Sequence, residues 1–282
     1  MKLHAYAKLN LTLNVYRGDG KFHELDSIVT SVDVFDTVIV TPRADDIVTV
    51  TGVDRVLPQD NTAWKTAKAF VDGVGTHGVD IVVQKGIPFG AGMGGSSADA
   101  SAVAFATKRL YGVGDDLVYD VCNSVGSDVW YMLHGGYARM TGKGQHVCGF
   151  CAQKPLYYVV TTFAESCCTK DVFAAFDNLP EQPHADNDKI VDLLQCGKTT
   201  DATKLFCNNL QLAAQSLSSY ADRFIVVCDT LGVVPTMTGS GSAYFVAFDR
   251  LAEANSISQS LRKHGFKARV CNDVPCGVEI VD

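Results

Sequence analysis

The chain predicts an α+β fold in two domains, on three observations. The N-terminal half mixes β-branched runs with segments whose apolar residues recur at helical spacing. Near Lys154-Pro155 the composition shifts, and the half that follows is richer in helical segments than in strands. At 282 residues the chain also exceeds one domain of ordinary size and suffices for a sizeable core. The expected domains are residues 1–154 and 155–282, with no internal repeat or low-complexity stretch.

Residues 3–15 alternate loosely and read as β. Asp36-Thr37-Val38-Ile39-Val40-Thr41 and Ile47-Val48-Thr49-Val50-Thr51 are β-branched runs separated by Arg43-Ala44-Asp45-Asp46, which predicts two further strands. Over 61–74, Ala63, Ala67, Phe70, Val71 and Val74 fall on one helical face, with Asn61-Thr62 as N-cap. A strand over 79–85 then leads through a glycine-rich loop into a helix over 98–110. Residues 115–125 read as a helix and 135–140 as a strand after a turn. In the second half, 156–162 is a strong strand, 169–176 a short helix, and 180–184, with Pro180 and Pro183, a loop. Helices are expected over 188–196, 200–217 and 221–231. A strand over 243–248, a helix over 251–265 and a strand over 267–270 close the pattern.

Hydrophobic residues make up 47% of the chain and charged residues 20%, the proportions of an ordinary globular protein. A net charge of −7 leaves no basic face and argues against nucleic acid as a partner. The first eight residues carry charge without a long apolar core, and no segment reaches the ~20 apolar residues of a membrane span. No signal peptide, no membrane partner and a cytoplasmic location are therefore expected. The ten cysteines then read as reduced thiols, many of them in the core. Cys148 and Cys151 have the spacing of half a zinc site, but no second Cys-x-x-Cys completes it, and Cys167-Cys168 adds none.

The segment Pro88-Phe89-Gly90-Ala91-Gly92-Met93-Gly94-Gly95-Ser96-Ser97-Ala98-Asp99-Ala100 is the most informative. Glycine lets backbone approach a ligand closely, and the start of the following helix offers free N–H groups and a positive dipole end. A phosphate chain suits such a loop; a glycine-rich turn without a ligand is the plainer alternative. The loop lacks the Gly-Lys-Ser/Thr of a P-loop and the spaced third glycine of a dinucleotide fingerprint.

The loop resembles the Pro-x-x-x-Gly-Leu-Gly-Ser-Ser motif of the GHMP kinases, with Met93 in the place of leucine, a volume-conserving swap. Four further segments are similar, in order and spacing, to the branch of that family acting on 4-diphosphocytidyl-2-C-methyl-D-erythritol. They are Ala5-Tyr6-Ala7-Lys8-Leu9-Asn10-Leu11, Asp19-Gly20-Lys21-Phe22-His23-Glu24-Leu25, Gly126-Ser127-Asp128-Val129 and Met237-Thr238-Gly239-Ser240-Gly241-Ser242. The resemblance covers nearly the whole chain. It implies a ribosomal-S5-like N-terminal domain and a ferredoxin-like α/β sandwich at the C-terminus.

The resemblance also implies roles. Asp128 would be the catalytic base for the acceptor hydroxyl, with Lys8 orienting it. Taken alone, Asp128 equally fits a helix or turn cap and Lys8 an edge-strand charge. Pro88, Gly90, Ala91, Gly92, Met93, Gly94, Gly95, Ser96, Ser97 and Ala98 would hold the triphosphate of ATP, with Asn61 and Lys85 lining the nucleotide pocket. Asn10, Phe22 and His23 would take the cytidine moiety, Phe22 by stacking, although the branch usually has tyrosine there. A loop aromatic covering the sheet and an exposed histidine are the alternative for that pair. Gly239 and Ser240 would support the diphosphate end. Mg²⁺ is expected with ATP, with no metal ligand assigned beyond the Ser97 hydroxyl. Trp130 stands where proline is usual and removes a φ restraint beyond Asp128. Ser96 is an added side chain in the loop.

The expected activity is transfer of the ATP γ-phosphate to the 2-hydroxyl of that small-molecule substrate, in the non-mevalonate route to isoprenoids, by a monomer or homodimer. A mevalonate- or homoserine-type kinase of the same family, and a nucleotide-binding protein without catalysis, are the alternatives.

Overall fold

The computed structural model describes residues 1–18, 23–53, 56–165 and 168–281. Its axis is one strand, β3 (Glu24–Pro42), 19 residues long. It pairs antiparallel with β1 (Lys2–Asn10), β2 (Asn14–Tyr16), β5 (Val79–Gln84) and β6 (Ala138–Gly142). Only its second half, where burial alternates from Val32 to Val40, carries the period of a half-buried strand. Residues 27–32 are buried on both faces, so that stretch lacks the alternation by which a strand is read, and the sequence predicts only 36–41.

A short β4 (Thr49–Thr51) lies parallel to β5, and β7 (His146–Gly149) extends β6. In the second half, β8 (Tyr157–Thr161) is flanked by β10 (Tyr244–Phe248) and β11 (Ala268–Val274), and β9 (Thr236–Met237) pairs with β10. Ala268 to Asn272 of β11 pair with β8, while Asp273 and Val274 pair with β3, which makes one twelve-stranded sheet among the described residues. β12 (Val278–Ile280) then returns to the free side of β1.

The helices follow their apolar stripes. Asn61 caps α1 (Thr62–Val74), its Oδ1 accepting the Ala63 and Trp64 N–H groups, and buries Ala63, Ala67 and Phe70 as expected. In α2 (Gly95–Tyr111) the buried residues are small, Ala98, Ala100, Ala102 and Ala104 among them, so the helix lies close to the sheet. With α3 (Asp115–Val125) and α4 (Val129–His134) these helices share a core of Phe70, Ala104, Val118, Cys122 and Val129. α4 was not expected. Trp130, within it, sets its ring edge-on to Tyr119 of α3 at 5.0 Å, so aromatic packing joins the two helices where proline would have fixed φ.

A second core, with Val159, Phe176, Phe224, Tyr244 and Leu261, lies under α5 (Thr169–Asp177), α9 (Asp222–Thr230) and α10 (Leu251–Lys263) and their sheet, whereas α6 (Asn187–Gln195) buries Ile190 and Leu194 in the larger core with Leu9, Ile28 and Phe206. The helix expected over 200–217 is instead two, α7 (Thr199–Thr203) and α8 (Gln211–Leu217). The break carries Asn208, which donates to the carbonyls of Met237 and Gly239 at 2.7 and 2.8 Å, and Asn209, which exchanges hydrogen bonds with the backbone of Val15. Those side-chain contacts to distant backbone accompany the break in the helix.

Among the described residues no helix is long and apolar enough to cross a membrane. The nine cysteines described are free thiols; Cys122, Cys228 and Cys271 are buried, whereas Cys148, Cys151, Cys168 and Cys196 are exposed. Core packing thus explains fewer of them than expected.

Candidate active site

Lys8 and Asn10 are two residues apart on β1 and so share a face of the sheet. The Lys8 N–H donates to the Met93 carbonyl at 3.0 Å, which fastens the glycine loop to that strand. Its ammonium lies 3.6 Å from Asp128 Oδ2 and also donates to Asn10 Oδ1. The Lys8 side chain is buried and the Asp128 side chain about a third exposed, at 32%. Asp128 precedes α4, but its carboxylate makes no capping bond to that helix. Capping therefore does not occupy it, and a carboxylate beside a buried cation is left facing open space.

Asn10 is the hub. Its Nδ2 donates to Ser27 Oγ at 2.8 Å, its Oδ1 accepts the Gly239 N–H at 3.0 Å, and its own N–H donates to Thr238 Oγ1 at 3.0 Å. The turn after β9 is in turn sewn to the glycine loop: the Ser242 and Ala243 N–H groups donate to the Gly90 and Ala91 carbonyls at 3.2 and 3.1 Å. A Cβ on Gly92 would collide with the Thr238 and Gly241 carbonyl oxygens, and its φ is +72°, so glycine is required there twice over.

Helix α2 begins at Gly95, three residues earlier than expected, because Gly94 adopts φ +77° and accepts the Ala98 N–H at 2.8 Å. Ser96 and Ser97 thus lie in its first turn, where backbone N–H groups point out of the helix end. Ala98 is fully buried with its N–H spent on Gly94, so it packs the helix and has no donor for a ligand. A cleft of about 390 Å³ opens before this helix end, lined by the loop from Pro88 to Ser96 with Asn61, Thr62, Lys85 and Asp99. Asn61 is there chiefly as the α1 cap.

Lys85 pairs with Asp36 of β3 and, at 2.8 Å, with Asp99 of α2. Burial alone would lower the Lys85 pKa; Asp99 and Asp36 outweigh it and leave the ammonium firmly charged. Burial pushes the Asp99 carboxyl up, to about 7, with Lys85 opposing and Asp36 reinforcing the rise. Neither aspartate was singled out from the sequence. Asp99 is legible only as an acid inside a run of small residues, and Asp36 as a charge inside a β-branched run.

The residues expected to bind the acceptor divide. Gly239 and Ser240 belong to the turn joined to Asn10, and Ser240 Oγ meets Thr169 Oγ1 at 2.8 Å at the start of α5. His23 lies at the other end of α5, its Nε2 2.6 Å from Asp177 Oδ1 and its ring 5.0 Å from that of Phe173. One helix thus spans the two groups, a placement set by contacts distant along the chain. Phe22 lies outside the described residues.

A buried lysine beside a partly open aspartate, a glycine loop feeding a helix and a turn sewn to both are the features expected of a small-molecule kinase of the GHMP type. Residues 61–136 match the family described as GHMP kinases N terminal domain. The 4-diphosphocytidyl-2-C-methyl-D-erythritol kinase of Corynebacterium glutamicum (strain R) is 35% identical, over 76% of this chain and 73% of that protein. The kinase of the same name from Carboxydothermus hydrogenoformans is 30% identical, over 95% of each chain. A crystal structure of 4-(cytidine 5'-diphospho)-2C-methyl-D-erythritol kinase superposes with a TM-score of 0.81 at 26% identity, covering 97% of this chain and 99% of that one. Homoserine kinase from Cytophaga hutchinsonii shares the fold, with a TM-score of 0.74 at 18% identity over 100% of this chain and 97% of that one. The chain belongs to the 4-diphosphocytidyl-2-C-methyl-D-erythritol kinase family.

Proposed function

We propose that the protein transfers the γ-phosphate of ATP to the 2-hydroxyl of 4-diphosphocytidyl-2-C-methyl-D-erythritol, a step toward isoprenoids. The observation that carries this reading is the convergence of Lys8 and Asn10, the glycine loop and the 238–242 turn beside an uncapped Asp128 carboxylate. Asp128 takes the proton of the acceptor hydroxyl as that oxygen attacks the γ-phosphorus in line and the bond to the bridging oxygen of ADP breaks. Lys8, 3.6 Å away, orients the Asp128 carboxylate. The loop and the first turn of α2 hold the phosphates with backbone N–H groups. The acceptor is a hindered tertiary alcohol, so positioning supplies much of the acceleration. Asn10, the Gly239-Ser240 turn and His23 bind its cytidine diphosphate end.

Mg²⁺ would enter with ATP and neutralise charge on the phosphates. Among the described residues no cluster of three His, Cys, Asp or Glu side chains forms a cage for a metal. A hard cation that keeps phosphate oxygens and water as ligands fits such a site, and the half-buried Ser97 hydroxyl is the protein oxygen we assign to it. The test is a Mg²⁺/ATP assay with the cytidylyl acceptor, mevalonate and homoserine in parallel. Transfer to the first alone supports the reading. Transfer to another alcohol keeps the kinase and discards the cytidine pocket; ATP binding without any transfer discards the reaction.

A further inference from the structure

The two ends of the glycine loop are joined behind it by a buried cross-brace that the reaction itself does not call for. Asp36, fully buried on β3, accepts the Gly86 and Ile87 N–H groups on one oxygen at 2.7 and 2.8 Å, at the point where the loop leaves β5. Its other oxygen takes the Lys85 ammonium, which reaches on to Asp99 Oδ2 in α2, the helix the loop feeds. A Cβ on Gly95, the first residue of α2, would lie 3.3 Å from the Lys85 ammonium, so the brace passes directly beneath the helix end.

We propose that Asp36 is a positioning residue for nucleotide: through Lys85 and Asp99 it fixes the spacing between the start of the glycine loop and the N-terminus of α2. This rests on the reading of that loop as the ATP site. A loop rich in glycine has little stiffness of its own, and the donors it offers a triphosphate are useful only at a set separation. The parts of the brace suit that task. Two backbone donors and an ammonium converge on one carboxylate with charge-assisted bonds, and all three elements so joined contact the cleft or lie directly behind it. Asp99 Oδ1 has no hydrogen-bond partner among the described residues, although buried. Lys85 is thus the one cation paired with the second carboxylate among the described residues.

Asp36→Asn tests this. The amide oxygen still accepts from Gly86 and Ile87, while the amide N–H₂ repels the ammonium, so the variant cuts the brace and spares the loop start. The expected result is a rise of about tenfold or more in KM for ATP and in Kd for ADP, with KM for the acceptor within about twofold of wild type. Asp99→Asn should act in the same direction, and the double variant should cost little more than either, because both act through Lys85. A Asp36→Asn protein with a lowered Tm but unchanged ATP and ADP constants would overturn the proposal and leave a merely structural salt bridge. So would a change confined to the acceptor constants. If Asp36→Asn does not fold, Asp99→Asn carries the same measurement. Failure of wild type itself to bind ADP would instead overturn the ATP site, and the brace with it.

Discussion

Residue identity matters most at two positions, Asp128, the proposed base, and Asp99, a buried carboxyl. Asp128 stands beside a buried ammonium and is partly open, as a base within reach of an acceptor hydroxyl has to be. Asp128→Asn preserves its shape and removes its basicity, so kcat should fall by about 10²–10⁴-fold with ADP affinity unchanged. Equal loss of ADP affinity would show that the carboxylate serves the nucleotide site instead. Asp99 is raised in the folded state above its ordinary value, chiefly by burial. A group so raised favours folding fully below its unfolded pKa, near 3.8, and that advantage is lost as pH climbs toward about 7. Wild type should therefore lose stability relative to Asp99→Asn between about pH 4 and 7, read from urea midpoints. A difference constant across that range would contradict the assignment.

At the scale of elements, what could be read in advance depended on whether a segment's reason for its shape was local. α1 shows itself by its cap and its stripe, and the glycine loop by its composition, because both obey nearest-neighbour chemistry. The first half of β3 does not, being buried on two sides by partners far along the chain, nor does the break at Asn208, whose partner is the backbone near residue 238. In the site the same division holds. Lys8, Asn10 and Asp128 lie in ordered motifs, whereas the brace through Asp36 and the span of α5 exist only once distant segments meet. The join between glycine loop and turn is the element most exposed to a single atom. Gly92→Ala would put a methyl against two carbonyl oxygens at a positive φ. It should cost more than about 1 kcal/mol of stability and sharply lower kcat/KM, since relief requires the loop and the turn to separate. Unfolding midpoints and kinetics matching wild type would mean that the two segments are not held together as described.

Across the whole molecule, the expected boundary at 154/155 falls between β7 and β8, yet β11 and β12 reach back over it to pair with β3 and β1. The returning segment also bears on the proposed catalytic pair, Lys8 and Asp128. The Gly277 carbonyl accepts the Tyr6 N–H of β1 at 2.8 Å, and its N–H donates to the His134 carbonyl at the end of α4 at 2.9 Å. One residue from the far end of the chain thus ties the strand that carries Lys8 to the helix that follows Asp128. A Cβ at 277 would run into the Met132 carbonyl oxygen, so alanine there must push α4 away from β1. Gly277→Ala should separate Lys8 from Asp128 while leaving the glycine loop in place. The expected signature is a kcat reduced by about tenfold or more with KM for ATP little changed, because displacement of about 1 Å is costly to in-line transfer. Trp64 and Trp130, on α1 and α4, report the first half by fluorescence, and far-UV circular dichroism reports both. If the returning strands couple the halves, wild type gives coincident urea transitions by the two probes, and Gly277→Ala shifts both together. Separate transitions in wild type would mean that residues 1–154 and 155–282 unfold independently, and that the tie at Gly277 is too weak to hold the pair in register.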